Sequence, residues 1–197
     1  MRFDREFFLR DALVVGPEIL GNFLIRKIGD KIIKTKIVEV EAYMGPEDRA
    51  SHAYENKRTS RTEPMFSLGG NSYVYLIYGM YNCMNIVCQE EGRPEALLIR
   101  GVEPLNEFDL LSKNRNLIKN THNLTNGPGK LCSALQIDRE FSGYDLINGE
   151  ELYLEKNEDK EEFEIIYSKR IGIDYAGEYA EKLWRFYIKD NKFISKK

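Results

Sequence analysis

The sequence predicts an α+β fold: a single domain with a curved, mostly antiparallel β-sheet, flanking helices and a protruding β-hairpin. Two strand patterns, Leu24–Ile28 and Lys31–Tyr43, meet at a Gly29-Asp30 turn. Two more β-rich runs within Ser72–Asn85 meet at Gly79, with Tyr73, Tyr75, Tyr78 and Tyr81 packed around the turn. The chain has 197 residues, 42% of them hydrophobic, with no internal repeat and no linker, which fits one domain with a substantial core.

The elements follow in order. Asp4 is placed to cap a first helix through about Ala12, and Pro17 suits the first turn of a second helix ending near Arg26. After the first strand pair, a segment from Met44 to Gly70 rich in Pro, Gly, Ser, Thr and charge reads as a long loop, a length usually kept for function. The Tyr-rich hairpin comes next, then an apolar strand Ala96–Val102 ended by Glu103-Pro104. Glu107–Arg115 reads as a helix, and Asn126-Gly-Pro-Gly129 opens a short one over Lys130–Leu135. Strand-like runs at Glu151–Leu154, Glu162–Tyr167 and Trp184–Ile188 complete the sheet, and Lys189–Lys197 reads as a frayed end.

The net charge of −3 argues against a protein that coats nucleic acid non-specifically. Basic residues cluster at Arg49, Lys57, Arg58 and Arg61, at Lys113, Arg115 and Lys119, and at Lys169-Arg170. No run reaches the length of a membrane span, and no cleavable apolar leader is expected. The three cysteines, Cys83, Cys88 and Cys132, lack metal-type spacing and are expected as free thiols of a reducing cytosol. No metal site and no cofactor are expected.

Chemistry concentrates around one strand and the loop after it. Alternation in Ile37-Val-Glu-Val-Glu-Ala-Tyr43 puts Glu39, Glu41 and Tyr43 on one face. Paired carboxylates beside an aromatic suit a general base; the same pattern also describes a solvated acidic strand face. His52 lies eleven residues past Glu41, close enough to share a pocket. Arg100 interrupts an apolar strand and needs an anionic partner, for which Glu41 is a candidate. Asn126-Gly-Pro-Gly-Lys130 is either a phosphate-binding helix start or a plain turn. The flat phenols of the hairpin suggest a surface that stacks on nucleobases, or else an edge packed on the core. Three readings stand side by side: a DNA-repair enzyme and a non-enzymatic wedge for kinked DNA, both of which depend on the family resemblance that follows, and a sugar hydrolase using Glu39 with Glu41.

Together the blocks Val38–Asp48, Ala50-Ser-His52, Met65-Phe66, Tyr73–Asn85, Leu98–Pro104, Asn126–Cys132, Arg170–Ile173 and Arg185-Phe-Tyr187 resemble, in order, the alkyladenine (3-methyladenine) DNA glycosylase family. The resemblance implies excision of alkylated or deaminated purines from double-stranded DNA by hydrolysis of the N-glycosidic bond. Glu41 then matches the residue that activates water, with Arg100 and the Ile173 carbonyl positioning it. Tyr43 and Tyr75 match the rings around the flipped base, His52 the pocket wall, and Asn85 a screen against purine substituents. Tyr78, with Met80, matches the hairpin tip that fills the duplex, while Tyr73 and Tyr81 read as packing residues. Arg49, Arg58, Arg61 and Lys130 are candidates for phosphate contacts. With no lysine at these positions, a monofunctional enzyme is expected, leaving an abasic site. The expected setting is a cytoplasmic, nucleoid-associated monomer. Two stretches depart from the family pattern, Arg61-Thr62-Glu63-Pro64 and Ser67–Asn71, and the chain is expected to be the bare catalytic domain.

Overall fold

A computed structural model describes residues 1–117 and 122–196; Lys119 and Lys197 lie outside the described residues. The fold is α+β. Strands β1 (Phe23–Ile28), β2 (Lys31–Tyr43), β3 (Ser72–Ile77), β4 (Tyr81–Cys88), β5 (Glu95–Pro104), β6 (Leu152–Glu155), β7 (Ile165–Ser168) and β8 (Arg185–Ile188) form one sheet. Its main path runs β3-β4-β5-β2-β1-β6, and every pairing between these strands is antiparallel. The helices are α1 (Ala12–Ile19), α2 (Phe108–Asn114) and α3 (Pro128–Ala134).

Strand β2 is the hinge of the architecture. One edge pairs with β5, while the other is shared in succession by β1, opposite residues 31–36, and by β8, opposite residues 39–41. The register slips between Ile37 and Glu39 and again between Glu39 and Val40, where the partner changes. A bulge of this kind sharpens the local twist and re-aims side chains. Beyond it, Val38, Val40 and Ala42 point into the main core, and Glu39, Glu41 and Tyr43 face the other way. Helix α1 packs on the core side so closely that a Cβ at Gly16 would stand 2.6 Å from the Phe186 ring.

The N-terminal segment differs from the expected pair of helices. Asp4 caps only a 3-10 turn, Arg5–Phe8, by accepting from the Phe7 amide at 3.0 Å. Asp11 starts a new cap, accepting from the Leu13 amide at 2.7 Å, so Pro17 falls in the second turn of α1 rather than the first. The helix stops at Ile19 because Gly21 turns left-handed (φ +79°) and the Asn22 side-chain amide donates to the Glu18 and Ile19 carbonyls. Near the other end of the chain, the strand expected from Glu162 begins only at Ile165. Phe163 lies instead over Gly21, and Lys160 donates to the Glu18 carbonyl.

The long loop is organised rather than structureless. It contains 3-10 turns at Gly45–Glu47, Tyr54–Asn56 and Glu63–Phe66. The stretch after Ile188 is no frayed end either: Ile194 is buried in the main core and the Ser195 amide donates to Glu39.

Candidate active site

On the face of β2 away from the main core, two small apolar clusters flank a pocket of about 140 Å³. Tyr43 from β2, Tyr73 and Tyr75 from β3, Cys83 and Asn85 from β4, and Leu98 and Arg100 from β5 line it. The loop residues Ala50, His52 and Met65 close one side, and Ile171, Gly172, Ile173 and Tyr175 close the other. Alternation explains the strand residues, since every second side chain of neighbouring strands points to the same face.

Glu41 lies just behind this lining and has no solvent exposure. One carboxylate oxygen accepts from the Tyr43 hydroxyl at 3.0 Å and from Arg100 Nη1 at 3.1 Å; the other accepts from the Ile171 amide at 2.7 Å. A carboxylate offers about four acceptor positions, so these three donors leave one open on the oxygen facing Ile171. Burial raises the Glu41 pKa above the ordinary carboxylate range, against the opposing pull of Arg100, the Ile171 amide and Tyr43. Burial also raises the Tyr43 hydroxyl, reinforced by the Glu41 charge, so it stays a donor.

The neighbouring Glu39 is equally buried but is held mainly by Arg185 and Ser195, away from the rings of the pocket. It accepts from Arg185 Nη1 at 2.8 Å, from the Ser195 hydroxyl at 2.8 Å and from the Ser195 amide, and Arg100 Nε lies at ion-pair distance, 3.3 Å. The two carboxylates that the sequence pairs on one face therefore differ in kind, one facing the pocket lining and one locked into an ionic lattice.

The ring wall is held from behind. Arg170 is buried, donates to both oxygens of Asp48 and to the carbonyls of Ala42 and Tyr179, and lies 4.7 Å from the centre of the Tyr43 ring. Asp48 also accepts from the amides of Met44 and Ala50, which ties the loop start to the same point. His52 stands edge-on to Tyr75 at 4.5 Å, and its Nδ1 is 3.0 Å from the Tyr73 hydroxyl. Burial, then the charges of Arg61 and Lys57, push the imidazole down to about 4, so the ring is neutral at physiological pH. Asn85 donates to the Tyr73 carbonyl at 3.0 Å.

The hairpin tip is built differently. Tyr78 is 81% exposed and Met80 66% exposed. Tyr78 and Gly79 both adopt left-handed φ values, +53° and +69°, which closes the three-residue loop between Ile77 and Tyr81. Glycine suits that geometry; a bulky tyrosine there is an uncommon choice.

The structure thus brings Arg100, Ile173, Tyr43, His52, Tyr75 and Asn85 together at the pocket, with Glu41 behind it. Arg49 and Arg61 line an adjoining groove with Lys57, and Arg61 also lies 5.4 Å from the Tyr75 ring centre. Arg58 is instead paired with both oxygens of Glu63, and Lys130 Nζ is bound to the side chains of Asn123 and Asn126. Sequence reasoning did not give a site role to Tyr73, which lines the pocket, nor single out Tyr175, which is 73% exposed at its mouth. It placed Arg170 among the basic clusters and in a block of the resemblance without giving it a role; its bonded partner Asp48 lies 122 residues away.

Residues 6–192 match the family described as Methylpurine-DNA glycosylase (MPG). The chain belongs to the methylpurine-DNA glycosylase family. Among its relatives, a protein of Natranaerobius thermophilus named "Putative 3-methyladenine DNA glycosylase" is 48% identical over 99% of both chains. Proteins of the same name from Clostridium perfringens and Clostridium novyi are 50% and 51% identical over the whole of this chain and 100% and 99% of theirs. Among the described residues, no helix of this glycosylase-family chain is long and apolar enough to cross a membrane.

Proposed function

We propose that the chain is a monofunctional 3-methyladenine DNA glycosylase that flips alkylated or deaminated purines out of duplex DNA and hydrolyses their N-glycosidic bond. The observation that carries this reading is Glu41: a buried carboxylate, bonded to Tyr43, Arg100 and Ile171 of the pocket lining, with one acceptor position left open. A water in that position would be held between Glu41, Arg100 and the Ile173 carbonyl. Glu41 takes its proton, the hydroxide adds to the anomeric carbon, and the electron pair of the glycosidic bond leaves with the base. The negative carboxylate also stabilises the oxocarbenium-like sugar that develops as the bond breaks.

The rings fit the leaving group. Tyr43 and Tyr75 offer flat faces to an extruded purine, and an alkylated, cationic base is drawn to such faces. A neutral His52 adds no repulsion. Asn85 on the pocket wall screens exocyclic substituents. Among the described residues no lysine lines the pocket, which supports direct hydrolysis to an abasic site rather than a Schiff-base route. Tyr78 and Met80 serve as the wedge that fills the duplex left by the flipped base. Arg49 and Arg61, on the groove beside the pocket, are proposed phosphate contacts; Arg58 and Lys130 are weaker candidates, because protein partners already hold them. A cytoplasmic, nucleoid-associated monomer is part of the same proposal. The sugar-hydrolase reading loses ground, because Glu39 is already bound by Arg185, Arg100 and Ser195.

The test is release of free alkylpurine from methylated duplex DNA under single-turnover conditions. Glu41→Gln is expected to lower the rate by roughly 10²–10⁴-fold while leaving lesion binding intact. Release as fast as that of the unmodified chain would sink the assignment. Tight binding of abasic duplex with every glycosidic bond intact would favour a non-enzymatic wedge. Because the raised Glu41 must be ionised to act, the rate should fall on acidification at a pH above the ordinary carboxylate range.

A further inference from the structure

We propose that the segment Phe193–Lys196 is a strap that keeps Arg100 in register with Glu41, with Ser195 as its positioning residue. The inference rests on the reading of Glu41 as the water-activating base.

Arg100 is one guanidinium shared between two buried carboxylates: Nη1 donates to Glu41 at 3.1 Å, and Nε lies 3.3 Å from Glu39. Where the guanidinium sits between them depends on how well each carboxylate is otherwise satisfied. Glu39 is satisfied largely by the strap. The Ser195 amide and hydroxyl both donate to it, and the same hydroxyl oxygen accepts from Arg100 Nε at 3.2 Å. Arg185 Nη1 links Glu39 to the strap as well, donating to Glu39 and to the Lys196 carbonyl, each at 2.8 Å.

The seating of the strap is specific. Ile194 beside Ser195 is buried in the main core. Gly101, next to Arg100 on β5, carries no side chain where the strap crosses: a Cβ there would stand 2.5 Å from the Phe193 carbonyl oxygen. That close approach presses the strap backbone onto the strand that carries Arg100.

Without the Ser195 donors, Glu39 draws the guanidinium toward itself and away from Glu41. The other groups facing Glu41 are Tyr43 and Glu39 on β2, Tyr75 on β3, Cys83 on β4 and the Ile171 amide; Arg170 and Arg185 face Tyr43 and Glu39. None of these is a second cation bonded to Glu41, so loosening Arg100 raises the proton affinity of the base. The acid limb of the rate profile then moves to higher pH.

The experiment uses the full chain with Ser195→Ala, which removes the hydroxyl, Ser195→Pro, which removes the hydroxyl and the amide donor, and Ser195→Thr, which keeps both. Single-turnover base release is expected to fall about tenfold in Ser195→Pro and by less in Ser195→Ala, with duplex affinity unchanged and the acid limb shifted upward. Ser195→Thr should restore both. A wild-type rate and limb in Ser195→Pro overturn the strap, as does a loss shared equally by rate and affinity with the limb unmoved. A second readout is independent of activity: the carboxylate NMR titration of Glu41, assigned by its absence in Glu41→Gln, should move to higher pH in Ser195→Pro. An unmoved titration overturns the strap whatever the chain catalyses. A moved titration in a chain that releases no base supports the strap and refutes the glycosylase reading.

Discussion

In the floor behind the pocket lining, Glu39, Glu41, Arg100 and Arg185 are all at most 8% exposed, and every carboxylate meets at least one arginine. At the hairpin tip, Tyr78 and Met80 are mostly exposed, and Tyr78 holds a left-handed backbone conformation. The floor is over-determined: each charge has several partners on different strands, so moving one disturbs the rest. The tip touches little of its own protein and stores a modest strain of about 1 kcal/mol. Buried charge costs stability that only good geometry offsets, and an exposed aromatic at positive φ costs stability that no internal contact returns. In the proposed enzyme the first cost supports chemistry and the second supports recognition of the duplex.

The comparison is broken most severely by attacking the support of the floor. Asp48→Ala leaves Arg170 buried with no carboxylate and frees the amides of Met44 and Ala50. A loss of about 3–5 kcal/mol in unfolding free energy is expected from urea titration, because an unpaired buried charge remains. Base release should fall in the fraction that stays folded, since Arg170 also backs the Tyr43 ring. A loss under about 1 kcal/mol would mean that water replaces the carboxylate and that the floor is less tightly determined than its bonding suggests.

A smaller effect comes from acid. His52 has its pKa lowered from 6.5 to about 4 in the folded chain, so the unfolded chain binds its proton first as pH falls. Its contribution is therefore present above pH 6.5 and is lost progressively as pH falls through 4, up to about 3 kcal/mol. Glu41 has the opposite sign: its pKa is raised on folding, so its contribution is present at low pH and lost as pH rises through the raised value. Comparing the unmodified chain with His52→Gln isolates the histidine. The variant should show a shallower decline in stability between pH 6.5 and 4, and equal slopes would show that His52 is not held neutral by its pocket.

Much of the floor was legible because its physics is local. An arginine in an apolar strand demands a carboxylate, and alternation on β2 offered Glu41, 59 residues away yet on the adjacent strand. The strand pairs around Gly29-Asp30 and Gly79 were legible for the same reason, turn chemistry between β-rich runs. What stayed hidden depends on long-range partners or on competition between local signals. Nothing near Arg170 in sequence announces Asp48, and nothing in Lys189–Lys197 announces that Ser195 satisfies Glu39. Alternation placed Tyr73 and Tyr75 on one face but could not separate their roles; in the fold, Tyr73 is bonded to His52 and 1% exposed. The helix expected to reach Arg26 failed because the Asn22 amide caps its carbonyls, a side-chain choice that periodicity does not register.

The smallest effect on stability falls at the tip, and there the sign reverses. Tyr78→Gly removes strain at φ +53° and loses almost no packing, so unfolding free energy should change by less than about 1 kcal/mol, in the stabilising direction unless unfolded-state entropy cancels it. The same substitution takes away the proposed wedge. Removing a ring that stacks in a duplex costs about 1–3 kcal/mol, so discrimination of damaged from normal duplex should weaken roughly tenfold. Hydrolysis of a single-stranded methylated substrate should barely change, because no gap in a duplex needs filling. Equal losses on duplex and single strand would place Tyr78 in the chemistry rather than the wedge and would dissolve the division between floor and tip. A loss of stability above about 1 kcal/mol would show that the tip is supported by packing its exposure does not reveal.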